Sequence, residues 1–356
     1  MSMLAQTAPV KVGVFLPFKT AGGMQQRYVE YYRGLLMAAD SLGREIKGQK
    51  FDVTAADCGT SAQDMSALLN AQANGAFDIV FLPSNQEQIA VANEYSVKNG
   101  TKLVVPFGGA YDKFIDNKNF YAFKVTQTDY TVQAYKLTKK VFPTKKIYVA
   151  STNDVDGVGP FANYMSKYVK GAKVLPYAAD NKKLLQALGD KDAVIVPVRY
   201  DNQTMADLLA LAKQIGGAKA AVIGYPTWYE QATAAEQRAD LAMLNAYVLQ
   251  PNYPRYGEPR ARNFAQLYKE NFDVELPLEM FSVPMWGFDT AYYMLKGRVK
   301  FGTEFYDQRP WAAPMQSEFY FEQRGQQAGL INTQIMFVHY TPDDKMQLIS
   351  LPAEDK

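Results

Sequence analysis

The sequence predicts an α/β fold built as two doubly wound lobes, each around a mostly parallel sheet. Three observations carry this. Short, wholly apolar runs such as Ile79 to Leu82 and Leu103 to Val105 alternate with helix-length stretches, the pattern of parallel strands buried on both faces. The alternation comes as two successive series, the second starting at Lys146, and two βα series imply two sheets. The 356 residues exceed one ordinary core and suit two α/β domains.

The elements follow in order. Val12 to Leu16 reads as a strand ending at Pro17-Phe18, and Lys19 to Gly23 as a loop. Tyr28 to Leu42 has Val29, Leu35, Leu36 and Ala39 on one side and reads as a helix. Phe51 to Ala55 is a strand closing at Asp57-Cys58-Gly59, and Ser61 to Asn74 a helix whose Ser61 and Asp64 can pair as a cap. The strand Ile79 to Leu82 leads through Pro83-Ser84 into the next helix, and Phe120 to Val125 is a strand entering the helix Tyr130 to Val141.

In the second series, strands fall at Ile147 to Ala150, Val174 to Tyr177, Val194 to Val198, Ala221 to Tyr225 and Ala246 to Leu249. Helices fall at Phe161 to Val169, Lys182 to Leu188 and Gln203 to Ile215. Gln250 to Pro259 is too rich in proline to continue a central strand and reads as a linker. Helices follow at Arg260 to Asn271 and Gly287 to Gly297. Phe319 to Ile349 then alternates apolar and polar residues with turns at Arg324-Gly325 and Pro342-Asp343-Asp344, which is antiparallel structure.

Composition narrows the function. A net charge of +2, with 38 basic and 36 acidic residues closely mixed, gives no nucleic-acid footprint and no polybasic membrane patch. No apolar run reaches membrane-spanning length. Cys58 is the single cysteine and reads as a buried, inert thiol. His339 is the single histidine, so neither a histidine-based triad nor a His-rich metal site can be built, and its strand pattern makes it a packed residue. Met1 to Val10 carry neither an apolar signal core nor a cleavage site and read as a disordered junction over 1–9.

The centre of the chain, residues 78 to 108, carries the first candidate site. Ser84 falls at the carboxyl end of a strand and the start of a helix, where open α/β sheets bind ligands and where helix N–H groups face an anion. Ser84-Asn-Gln-Glu87 is also a capping box, so Ser84 is open to either role. Gly157-Val-Gly-Pro-Phe-Ala162 matches G-x-G-x-x-A with Asp180 downstream. The loop Thr152 to Asp156, the missing N–H of Pro160 and the position of Asp180 in a polar loop all count against a dinucleotide site. Asn153-Asp-Val-Asp-Gly157 has a calcium-like look without the later glutamate. There is no P-loop, G-x-S-x-G or H-E-x-x-H, so no catalytic residue and no cofactor is expected. Aromatic residues gather at strand ends (Phe18, Phe107, Tyr200, Tyr225 with Trp228, Phe281 with Trp286), where they can be core or can enclose a small ligand.

Several stretches together resemble the type I periplasmic binding proteins, in particular their branched-chain amino-acid-binding branch. They are Lys11-Val-Gly-Val-Phe-Leu-Pro-Phe18, Tyr32-Arg-Gly34 to Ala39, Phe81-Leu-Pro-Ser84, Tyr121-Ala-Phe-Lys-Val-Thr126, Gly224-Tyr-Pro-Thr-Trp228 and Trp286-Gly-Phe-Asp-Thr-Ala291. The resemblance runs from about Lys11 to about Ile349. Arg27 to Gly34 and Gly224 to Trp228 are most similar to Bacteroidetes-type proteins in which this domain follows lysin-motif repeats.

The resemblance implies two lobes joined by three crossovers, 10–124 with 254–318 and 125–253 with 319–356, closing on a solute by hinge motion. It implies no enzyme, but a solute-binding protein of the periplasm or cell envelope. The solute would be an amino acid or similar small polar molecule, captured in an interlobe cleft and possible cargo for an ABC-type permease. The alternative it leaves open is a peptidoglycan-associated scaffold or regulator of cell-wall synthesis with no transported ligand, its partners cell-wall proteins. By the same likeness Ser84, Asn85, Gly108 and Gly109 supply polar contacts from one lobe, with Phe18 and Phe107 beside them. Asp154, Tyr200, Tyr225, Thr227 and Trp228 close from the other. Where relatives place an acid for the ligand ammonium, the nearest here is Glu230, off the pattern.

Overall fold

A computed structural model describes residues 8–19, 23–71, 75–108, 116–151, 160–176, 182–199, 201–229, 235–303, 305 and 314–351. The chain divides into two compact units, Met1–Val125 with Asn252–Thr333, and Thr126–Pro251 with Gln334–Lys356. Each holds one seven-stranded sheet.

In the first unit the strands are β1 (Val10–Leu16), β2 (Phe51–Asp57), β3 (Ile79–Phe81), β4 (Lys102–Val105) and β5 (Phe120–Ala122). They lie parallel in the order β2-β1-β3-β4-β5. Helices α1 (Gly23–Glu45), α2 (Ala62–Asn70) and α3 (Gln86–Asn99) connect them. Both faces of the sheet are covered at its centre, which is why β3 is wholly apolar and buried. Val12, Val14 and Leu16 point into one cluster with α1, and Phe15 points into the other with Met65, Leu69, Ile89 and Ala92.

The chain returns to this unit with α10 (Pro259–Phe272) and α11 (Val283–Phe301). Tyr31, Leu35, Ala38 and Leu42, spaced on one face of α1, are fully buried. Against that face α11 approaches so closely that a Cβ on Gly34 would lie 1.9 Å from the Pro284 carbonyl oxygen, and one on Gly287 would lie 2.0 Å from that of Tyr31. Two glycines let the backbones themselves touch.

The second unit repeats the plan. Its strands are β6 (Lys146–Ser151), β7 (Lys173–Pro176), β8 (Ala193–Pro197), β9 (Ala221–Gly224) and β10 (Ala246–Gln250), parallel in the order β7-β6-β8-β9-β10. Helices α4 (Gln127–Val141), α5 (Pro160–Tyr168), α6 (Lys182–Leu188), α7 (Asn202–Gln214), α8 (Pro226–Tyr229) and α9 (Ala235–Met243) complete it. The sequence marks neither α8 nor α9, which fall inside an apparent connection between two strands.

One expected boundary moves. Sequence places 319–356 in the second lobe, but the contact division falls between Thr333 and Gln334. The reason is pairing: β11 (Phe321–Gln323) and β12 (Leu330–Asn332) form a hairpin, and β12 lies parallel to β5 in the first sheet. The Asn332 amide fixes the join by donating to the Phe123 carbonyl at 2.9 Å. Only β13 (Met336–Tyr340) and β14 (Met346–Ser350) join the second sheet, β13 antiparallel to β10. The other two junctions stand at Val125/Thr126 and Pro251/Asn252.

His339 is packed as expected. Its ring stacks on Tyr247 at 3.9 Å, its Nε2 shares a 2.9 Å hydrogen bond with Asn245, and burial holds its pKa below the usual histidine value. Cys58 is fully buried, and burial, reinforced by Asp57, pushes its thiol up to about 12. It is inert at neutral pH.

Candidate functional site

The carboxyl edge of the first sheet brings several expected residues together. Phe81 of β3 is in register with Val104 of β4, and Val104 with Tyr121 of β5. Ser84, Phe107 and Lys124 each lie three residues beyond that row, on neighbouring chains leaving the sheet. The ladder continues past the strands, with Leu82 N donating to Val104 O at 2.9 Å and Phe123 N to Val105 O at 3.1 Å.

Ser84 does not cap α3. Asn85 does: its Oδ1 accepts from the N–H of Glu87 at 3.0 Å and of Gln88 at 3.1 Å. Asn85 is therefore a structural cap rather than a ligand-facing acceptor, and its amide also donates to Thr60 O at 3.3 Å. The exchange leaves the half-buried Ser84 hydroxyl without a partner among the described residues. Gln88, 1 % exposed, braces the same corner by donating to Cys58 O at 2.8 Å and Ser61 O at 3.2 Å, which ties α3 to the loop after β2. That loop is itself set by Ser61, which caps α2 by accepting from Asp64 N at 3.1 Å, as its sequence spacing predicts.

Phe18 and Phe107 flank this edge, both half-buried. Phe18 meets Tyr32 edge to face at 5.8 Å, and Phe107 meets Tyr28 at 5.6 Å and Tyr31 at 5.1 Å. The loop after β4 is pinned from α11, where Trp286 Nε1 donates to Pro106 O at 3.0 Å. Gly108 follows on this pinned loop, and Gly109 lies outside the described residues.

On the second sheet the expected residues part company. Asp154 and Tyr200 lie outside the described residues, as do Gly157, Gly159 and Glu230. Tyr225, at the end of β9, is 5 % exposed and its hydroxyl donates to Pro197 O at 2.6 Å; burial raises its pKa. Trp228 is fully buried, with Nε1 lacking an acceptor among the described residues. Its ring lies so close over the strand end that a Cβ on Gly224 would be 2.8 Å from Trp228 Cε3. The Gly-Tyr-Pro-Thr-Trp stretch is thus a packed corner, and of the two roles the sequence left open for these rings the structure shows packing. Thr227, between them, remains half-buried.

Sequence reasoning passed over Gln88 and over Trp286 as an anchor. The described residues hold no group of three or more His, Cys, Asp or Glu able to bind a metal. No helix among them is long and apolar enough to cross a membrane.

The architecture and strand-end edge are those of a known class, and the chain belongs to the periplasmic binding protein family, whose model matches residues 9–310. It adopts the two-sheet fold of the type I members. A candidate branched-chain amino acid ABC transporter protein from Rhodospirillum rubrum superposes with a TM-score of 0.62 at 13 % identity, covering 96 % of this chain and 100 % of its own. A branched-chain amino acid ABC transporter periplasmic ligand-binding protein from Burkholderia xenovorans gives 0.52 at 14 % identity, covering 97 % and 96 %. A candidate branched-chain amino acid ABC transporter protein from Silicibacter pomeroyi gives 0.51 at 15 %, covering 98 % of each chain. At these identities the likeness is one of fold. No curated protein matches the chain in sequence.

Proposed function

We propose that the chain is an extracytoplasmic solute-binding protein that captures a small polar molecule, an amino acid or a close relative, without altering it. The observation that carries this is the uncommitted Ser84 hydroxyl at the end of β3, relieved of capping by Asn85 and flanked by Phe18 and Phe107. A strand-end hydroxyl beside exposed backbone and aromatic walls suits a ligand with one polar end and an apolar body. Within the second unit, Thr227 is a half-buried polar side chain at the corner packed by Tyr225 and Trp228. Family membership, and the ABC-transport names of the structural neighbours, support capture for uptake through an ABC-type permease and a place in the periplasm or cell envelope. Likeness to chains that carry lysin-motif repeats agrees with an envelope location. Neither the family nor the neighbours support a scaffold role in cell-wall synthesis.

The test is thermal denaturation against a library of amino acids, short peptides and small acids. A ligand at a hundred times its Kd adds about 2.7 kcal/mol to the stability of the folded state. At least one compound should raise Tm in the wild type, and Ser84→Ala should diminish that rise. A rise fully retained in Ser84→Ala refutes the assigned edge.

A further inference from the structure

In the second unit each helix between parallel strands carries the chain back to the amino edge of the sheet. The helix-to-strand turns therefore gather there, at the end remote from Tyr225 and Thr227. Three of them stand side by side, before β7, β6 and β8 in the order of the sheet. The turn into β6 reads Lys139-Lys-Val-Phe-Pro-Thr-Lys-Lys146, and the turn into β7 reads Lys167-Tyr-Val-Lys-Gly-Ala-Lys173. Together they hold seven lysines and no acid. The turn into β8 adds Lys191 between Asp190 and Asp192. Pairing and contacts join the three. Lys146 is in register with Ala193 and Tyr148 with Lys173, Lys145 Nζ donates to Lys191 O at 2.9 Å, and Tyr135 of α4 meets Tyr164 of α5 edge to face at 5.3 Å. Two strand spacings, about 10 Å, span them.

Eight lysines against two aspartates leave a local charge of +6, and six of the eight lysines are exposed. The nearly neutral balance of the whole chain conceals this, so the even mixture read from composition does not hold at this corner. Ordinary structural needs take up little of the charge. A helix C-terminus carries about half a negative charge, so α4 and α5 offset about one unit of the six. A lysine on an edge strand guards it against stray pairing, and on β7 Lys173 alone serves that need. Elsewhere on this edge cations meet acids, Lys213 with Asp240 at 3.3 Å and Arg238 with Asp344 at 2.7 Å.

The kind of cation indicates the partner. No arginine lies in these turns. A shaped phosphate or carboxylate site favours the rigid fork of arginine, and protein interfaces are depleted in lysine. Flexible ammonium groups spread over a surface suit a diffuse negative field. Among them stand Tyr168, 51 % exposed with its ring 4.4 Å from that of Tyr164, and Val174, 56 % exposed on β7. Lys167 Nζ lies 5.1 Å from the Tyr168 ring centre. Tyrosine beside lysine suits a headgroup boundary, where the ring enters the interface and the ammonium meets phosphate. We propose that this corner of the second unit rests on an anionic lipid surface, through the lysines of the turns into β6 and β7 with Tyr168 at the boundary. The contact leaves the Tyr225–Trp228 corner, at the other end of the same sheet, uncovered.

The experiment is co-sedimentation of the whole chain with vesicles of phosphatidylcholine alone, or with about one-third phosphatidylglycerol, at about 50 and about 300 mM salt. The chain should sediment with the anionic vesicles and not with the neutral ones, and its affinity should fall about tenfold or more at the higher salt. Each lysine near an anionic surface is worth about a factor of five in affinity, so Lys140→Gln, Lys167→Gln, Lys170→Gln and Lys173→Gln combined should weaken binding about a hundredfold or more. A control with the same loss of charge in the first unit, Lys47→Gln, Lys50→Gln, Lys98→Gln and Lys300→Gln, should bind within about twofold of the wild type. Both variants should melt with the wild type, because every substituted lysine is exposed. An equal loss in the two variants, or binding that survives the substitutions in the turns, overturns the assigned corner. Equal sedimentation with neutral vesicles overturns the electrostatic basis. A chain that sediments with neither kind of vesicle overturns the proposal, and if it instead retains soluble alginate through the same lysines, the occupant is an anionic glycan and not a lipid surface.

Discussion

Asp289 offers the most quantitative check on how the first unit is held together. It lies on α11, 3 % exposed, and accepts three backbone N–H bonds, from Met315 at 2.9 Å, Gln316 at 2.8 Å and Ser317 at 3.1 Å. The segment it grips is joined in turn to the start of the third chain passage. Tyr253 N donates to Gln316 O and Arg255 N to Met315 O, both at 2.9 Å. Burial raises the Asp289 carboxyl to about 6 against the pull of those three donors. The ordinary aspartate value is about 3.9, so the shift is about two units, or roughly 3 kcal/mol. The folded value exceeds the unfolded one, so between pH 4 and 6 the native state keeps a proton that the unfolded chain has released. Stability attributable to this group therefore falls as pH rises through that window, and is level above it.

Asp289→Asn removes the titration but turns an amide donor toward N–H donors. Urea unfolding of both proteins from pH 4 to 8 measures the outcome, with Trp286 in the same unit as the fluorescent probe. The stability difference between wild type and variant should shift by about 2 kcal/mol against the wild type from pH 4 to pH 7. At pH 4 the variant should be the less stable of the two, since a neutral acid can orient its lone pairs where an amide cannot. Parallel curves, or a wild type that gains on the variant as pH rises, would refute the reasoning.

Further outcomes follow from packing and capping. Gly287→Ala should cost about 1–3 kcal/mol or more, because its Cβ meets a backbone oxygen that no rotamer change can move; chemical denaturation reads this directly. Asn85→Ala should cost about 1 kcal/mol as a lost N-cap, and Ser84→Ala should stay within about 0.5 kcal/mol, both by the same assay. A reversal of that order would return Ser84 to the capping role and remove it from the binding edge. Gln88→Ala, which strands the buried carbonyl of Cys58, should cost about 1–3 kcal/mol.

Much of the fold was legible because its signals are local. Period and apolar runs mark strands such as Ile79–Phe81, the Ser61–Asp64 spacing marks a cap, and the prolines of 250–259 mark the passage that ends at Pro259 on α10. What escaped depends on contacts distant in sequence. The alternation of residues 319–332 identifies a hairpin but not which sheet it joins; that is settled by β12 meeting β5, some two hundred residues earlier. Ser84 and Asn85 are adjacent, equally competent acceptors, and only the position of the first helical turn, which starts at Gln86, makes Asn85 the cap. Trp228 reads alike as a ligand wall or as packing until Gly224 is seen beneath it.

Native mass spectrometry tests the central claim most directly. The intact chain would be incubated with an equimolar pool of amino acids and small carboxylic acids, and wild type compared with Ser84→Ala. A single one-to-one adduct, its mass naming the solute and its intensity reduced in the variant, is the predicted result. Folded protein carrying no adduct across the pool, or adducts of unlimited stoichiometry untouched by the substitution, would contradict it.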